Sequence, residues 1–139
     1  MKPWARGPFE LIEHAEMHAN AGTDFDRRMA LVSFDNAIEM AIVTYLSLHP
    51  VQRGNQTFPQ LQIKTWLHNF HAKLDFLEHF VISIHNKPME FDRAEIVFYH
   101  ELRNEIYHSG IGVVPEERHI HGIRAVALWV FEGSFQRGC

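Results

Sequence analysis

From Leu102 to Gly110 the chain reads Leu-Arg-Asn-Glu-Ile-Tyr-His-Ser-Gly. Arg103, Asn104 and His108 thus bring a guanidinium, a carboxamide and an imidazole into one short stretch. Arginine is a permanent cation whose forked N–H groups match phosphate oxygens, and histidine exchanges a proton near neutrality. Together they supply what metal-free cleavage of a phosphodiester needs: a fixed positive charge and a proton carrier. The plain structural alternative uses the same residues. Arg103 would then pair with Glu101 or Glu105 at the surface, and His108 would be a cation at a helix C-terminus.

On an ideal helix Arg103 and His108 point about 140° apart. Asn104 shares a face with His108, while Arg103 shares one with Tyr107 and His100. A single helix therefore does not aim the guanidinium and the imidazole at one atom. Either the helix loosens at Ser109-Gly110, or two copies of the motif meet across a two-fold axis. Tyr107 is placed to prop Arg103 or to stack on a base.

The helix around Phe34–Leu48 is apolar on nearly every side, yet it carries Asp35, Asn36 and Glu39. A carboxylate among such neighbours must be paired or lie at an edge. The sequence leaves two expectations. Either Glu39 or Asp35 holds Arg103 in place, or both sit on the solvent edge beside Arg27 or Arg28.

Helical periodicity dominates the elements that must position these groups. A short first helix is expected over Phe9–Ala21, between Pro8 and Gly22. A second starts at Thr23, with Asp26 in the favoured third position, and runs to about His49 before Pro50. Leu67, Phe70, Leu74, Leu77, Val81 and Ile84 recur in steps of three and four, which predicts one continuous seam ending at Asn86-Lys87-Pro88. Asp92 and Glu95 open a fourth helix that Ser109-Gly110 closes. Pro115-Glu116-Glu117 opens a fifth, with Ile120, Ile123, Ala127 and Val130 inward and Gly133 as its stop. Ile111-Gly112-Val113-Val114 reads as a loop. The fold class is all-α, a four- to five-helix antiparallel bundle forming a single domain over residues 1–139.

Composition narrows the function classes. The chain has 139 residues, 46% hydrophobic and 22% charged, and a formal net charge of −4. That suits one globular domain without a basic coat for extended DNA binding. The single cysteine, Cys139, allows no intramolecular disulfide. The N-terminal residues lack the apolar run of a secretory signal, and the longest wholly apolar stretch, Ala125–Phe131, is too short for a bilayer. A cytoplasmic location without membrane association is the expectation. Phosphate-binding, dinucleotide-binding and serine-hydrolase motifs are absent. His14 and His18 lie one turn apart, as do His68 and His71, but no third ligand stands at a telling spacing. No metal and no cofactor are expected.

The Arg103–His108 string resembles the R-x(4–6)-H signature of the HEPN superfamily (higher eukaryotes and prokaryotes nucleotide-binding domains), many members of which are ribonucleases or toxins. The resemblance implies a HEPN-like bundle and a metal-independent endoribonuclease of the toxin–antitoxin or phage-defence type. A ribose 2′-hydroxyl would attack the adjacent phosphate, leaving a 2′,3′-cyclic phosphate. His108 would accept that proton or protonate the leaving 5′-oxygen, ordinary imidazoles titrating near about 6.5. Arg103 would neutralise the phosphate, and Asn104 would orient the imidazole or a phosphate oxygen. A homodimer completing the site, an RNA substrate and a possible antitoxin protein are implied as partners. Gly110 stands where some HEPN toxins carry a regulatory tyrosine, so that regulation is not expected. The alternative is a non-catalytic HEPN module that binds nucleotide, RNA or a protein partner. A helical adaptor with an incidental motif is more distant.

Overall fold

The computed structural model describes residues 1–109 and 112–136, with side chains to residue 134. Among the described residues there are six α-helices and no strand: α1 Arg6–Ala21, α2 Asp24–Ser47, α3 Gln60–Leu67, α4 Phe70–Glu78, α5 Arg93–Ser109 and α6 Glu117–Phe131. The chain is all-helical as expected, but with six helices rather than four or five.

The first two helices form a corner fixed by local chemistry. Pro8 falls in the first turn of α1, where a missing N–H costs nothing. Gly22 ends the helix at φ 75°, a left-handed conformation that glycine adopts without strain. Thr23 caps α2 by accepting the Asp26 N–H at 3.1 Å. The Asp26 carboxylate in turn takes the Thr23 hydroxyl at 2.6 Å and contacts His18 Nδ1 at 2.7 Å. Those two partners, the hydroxyl above all, hold its carboxyl below the usual carboxylate range.

α2 is the axis of the bundle, packed against α1, α4, α5 and α6. Phe34, Ala37, Ile38, Ala41 and Ile42 are all but fully buried in one continuous apolar core. By length and composition alone α2 could cross a membrane, its most apolar window averaging a hydropathy of 1.3. Two thirds of that window, 67%, is buried inside the bundle, as in a core helix. The helix stops at Ser47, two residues short of the expected His49.

The expected continuous seam from Leu67 to Ile84 is broken. α3 ends at Leu67, and Asn69 takes an extended backbone while its side chain accepts the Ala72 N–H at 2.7 Å to cap α4. An asparagine that caps a new helix outcompetes continuation of the old one. α4 then widens into a π-helical turn over His79–Ile84. Phe70, Leu74 and Leu77 still face the core.

α6 buries Ile120, Ile123, Ala127 and Val130 as expected, opening with Glu116 as its cap. Gly133 does not stop it, because the chain continues as a π-helical turn over Glu132–Gln136. Gly110, the expected stop of the Arg103 helix, lies outside the described residues, as does Ile111. α5 is held against α6 where Tyr99 lies over Gly122: a Cβ there would meet the Tyr99 hydroxyl at 1.8 Å and Cζ at 2.7 Å. The Tyr99 hydroxyl donates to Glu95 at 2.9 Å, and its pKa is pushed up to about 12, first by burial and then by that bond.

Gly122→Ala is therefore expected to lose about 1–3 kcal/mol of stability in urea denaturation, since the overlap with a rigid, bonded ring outweighs the helix propensity gained. A neutral or stabilising effect would mean that α5 does not approach α6 this closely.

Candidate functional site

The site candidate lies where α5 crosses α2. Asp35 is buried, with 1% of its side chain exposed, in the apolar stretch of α2. His100 Nδ1 lies 3.1 and 3.3 Å from its two oxygens, and Arg103 Nε lies 3.5 Å from Oδ2. An ionised carboxylate only accepts, so Nδ1 is the protonated nitrogen of the contact and Nε2 is left as the acceptor when the ring is neutral. His100 and Arg103 are three residues apart, so one face of α5 delivers both to the same acid.

Arg103 is held on every side. Its Nη2 donates to Asn36 Oδ1 at 3.3 Å and its Nη1 to Asn104 Oδ1 at 3.2 Å. The guanidinium carbon sits 4.6 Å from the Tyr107 ring centre, a cation–π contact. Nε is buried with no hydrogen bond of its own. A guanidinium carries five N–H groups, so one on each terminal nitrogen remains available to an oxyanion. The side chain as a whole is 24% exposed.

Glu39, one turn after Asp35, completes a second layer. Its Oε1 lies 3.7 Å from His100 Nδ1 and its Oε2 lies 3.6 Å from Lys73 Nζ on α4. Phe70, also on α4, stacks flat against the His100 ring at 3.7 Å and 2°. After the Asn69 cap that breaks the expected seam, α4 presents Phe70 to His100 on α5 and Lys73 to Glu39 on α2.

Asp35 therefore pairs with Arg103, whereas Glu39 serves Lys73 and His100. Arg27 bonds Asp24 instead of either acid. Glu101 and Glu105 are exposed and take no part in the Arg103 ion pair. Asn104 accepts from the guanidinium through its amide oxygen, a bond the sequence did not suggest beside its expected role toward an imidazole or a phosphate oxygen. His108 is exposed and makes no hydrogen bond or ion pair among the described residues. The 140° offset persists, and one protomer does not bring Arg103 and His108 together. Phe70 and Lys73 were missed, although their spacing of three residues already placed an aromatic ring and an ammonium on one helix face.

Asp35, Glu39 and His100 each offer a ligand atom within 4.8 Å of the others, a geometry a divalent ion also favours. Lys73 and Arg103 already balance both carboxylates, and a dication would leave those two cations unpaired. The cluster reads as an ion-pair network. Elsewhere His14 and His18 meet edge to face at 4.6 Å, and His18 is committed to Asp26.

Compared with known proteins, the chain matches no family model, no curated protein and no solved structure.

Removing the acid leaves His100 and Arg103 facing a cavity without their shared partner. Asp35→Ala is expected to cost about 2–3 kcal/mol in urea denaturation, below the fully buried range because Arg103 is partly solvated. A loss under about half a kcal/mol would show that the network is not under tension with burial.

Proposed function

We propose that the protein is a HEPN-type, metal-independent endoribonuclease whose site is built around Arg103. The observation that carries this reading is the state of that guanidinium: charged, clamped by Asp35, Asn36, Asn104 and Tyr107, and holding one further N–H on each terminal nitrogen, on a side chain that is 24% exposed. A cation so restrained is preorganised for charge that grows on a phosphate during reaction. The residue pattern Arg-Asn, aliphatic, aromatic, His adds the resemblance in sequence.

In this reading the ribose 2′-oxygen attacks phosphorus, the P–O5′ bond breaks, and the products are a 2′,3′-cyclic phosphate and a 5′-hydroxyl. Arg103 binds the non-bridging oxygens, and His108 carries a proton at one of the two ester oxygens. Because His108 points away from Arg103 on its own helix, a second copy of the chain supplies it, and the working form is a homodimer. Exposed Tyr107 stands beside Arg103, where an unstacked base would lie on it. A toxin or phage-defence role in the cytoplasm, with an antitoxin protein as regulator, belongs to the same proposal.

His108, exposed and without a bonding partner among the described residues, favours a second reading, in which the pocket binds RNA or a nucleotide without cutting it.

The test is cleavage of end-labelled RNA in EDTA by the parent protein, Arg103→Ala and His108→Ala. The expected result is cyclic-phosphate ends from the parent and a loss of about 10²–10⁴-fold in each variant. No cleavage by the parent over a broad RNA panel, or undiminished cleavage by both variants, would refute the ribonuclease.

A further inference from the structure

The chemistry above needs two proton transfers, one from the attacking 2′-hydroxyl and one to the leaving 5′-oxygen. Among the described residues His108 makes no hydrogen bond or ion pair that would orient it. His100 is oriented in every respect a general base requires. Its Nδ1 is tied to the buried Asp35, its plane is fixed by Phe70, and it stands one turn from Arg103 on the same face.

We propose that His100, aligned by Asp35, is the general base of the ribonuclease site and that His108 is its general acid. The inference rests on the ribonuclease reading and gives each imidazole one task. Nε2 of His100 takes the 2′-hydroxyl proton as the 2′-O–P bond forms. The P–O5′ bond then breaks and the 5′-oxygen takes a proton from His108, so the pair of imidazoles ends with its protons exchanged and no co-reactant is consumed.

Charge within the cluster supports the assignment. The groups facing the His100 ring are Asp35 and Glu39 from α2, Lys73 from α4 and Arg103 from its own helix. Two carboxylates meet two permanent cations, so the imidazole is not required as a third cation and can serve as an acceptor. Asp35 fixes the tautomer, as an acid behind a catalytic histidine does. The His100 side chain is 15% exposed, and in this assignment substrate reaches Nε2 through that opening. Against the bland alternative, a histidine that merely fills the Asp35 pair, stands its position beside the unspent Arg103 donors.

The two roles separate on a substrate whose scissile 5′-oxygen is replaced by sulfur, because a thiolate leaves without a proton. On ordinary RNA both His100→Gln and His108→Gln are expected to lose about 10²–10⁴-fold in kcat. On the 5′-thio substrate His108→Gln recovers to near the parent rate, whereas His100→Gln stays slow. The pH–rate bell of the parent loses its acidic limb in His100→Gln and its alkaline limb in His108→Gln. Circular dichroism melts verify that each variant is folded. His100→Ala assayed with added imidazole over a range of pH gives a second route, since recovery that follows the free-base form of imidazole marks the missing group as a base. His100→Gln cutting ordinary RNA at the parent rate, or recovering on the 5′-thio substrate, would overturn the proposal while leaving the ribonuclease intact. A parent protein inert toward both substrates would instead sink the ribonuclease reading, and this assignment with it.

Discussion

A carboxylate with 1% exposure in the middle of an apolar helix is the constraint on which the rest of this molecule turns. Burying the Asp35 charge is unfavourable unless cations and N–H donors are brought to it. α2 supplies no cation there, since the positions one turn from Asp35 are Leu31, Val32, Ile38 and Glu39. The donors come from α5, which must cross α2 at the register that sets His100 and Arg103 over the acid. The Tyr99–Gly122 contact holds α5 at α6, and the Phe70–His100 stack ties it to α4. Packing and electrostatics thus specify the same crossing.

The network also sets the properties of Arg103, the cation of the proposed site. A free surface arginine loses side-chain entropy whenever it grips a phosphate. Arg103 has lost that freedom already, to Asp35, Asn36, Asn104 and the Tyr107 ring. The loss is compensated by the desolvated acid, so a bound phosphate would not bear it. Preorganisation of this kind gives a guanidinium more effect on a developing charge than its number of contacts suggests.

Much of this was legible in the sequence. Local signals fixed the α1–α2 corner and the inner face of α6. Asp35 and Glu39 stood out as acids in an apolar helix, but the sequence left open whether they hold Arg103 or lie at a solvent edge beside Arg27 or Arg28. The break at His68-Asn69 was not legible from periodicity, because Leu67 and Phe70 keep the same three-residue step across it. Only the capping chemistry of Asn69 distinguishes one helix from two. Lys73 and Phe70 were invisible as site residues for the same reason: their role depends on where α4 points after the break. The direction of His108 was legible as an angle, and the helix keeps that angle to Ser109.

The most direct measurement of the central claim is a double-mutant cycle on RNA cleavage with Asp35→Asn and Arg103→Ala. If the buried acid acts by holding the guanidinium, Asp35→Asn slows the parent strongly and slows Arg103→Ala much less, a coupling of about 1 kcal/mol or more. Losses that simply multiply in the double variant would contradict the account, because Asp35 and Arg103 would then act independently.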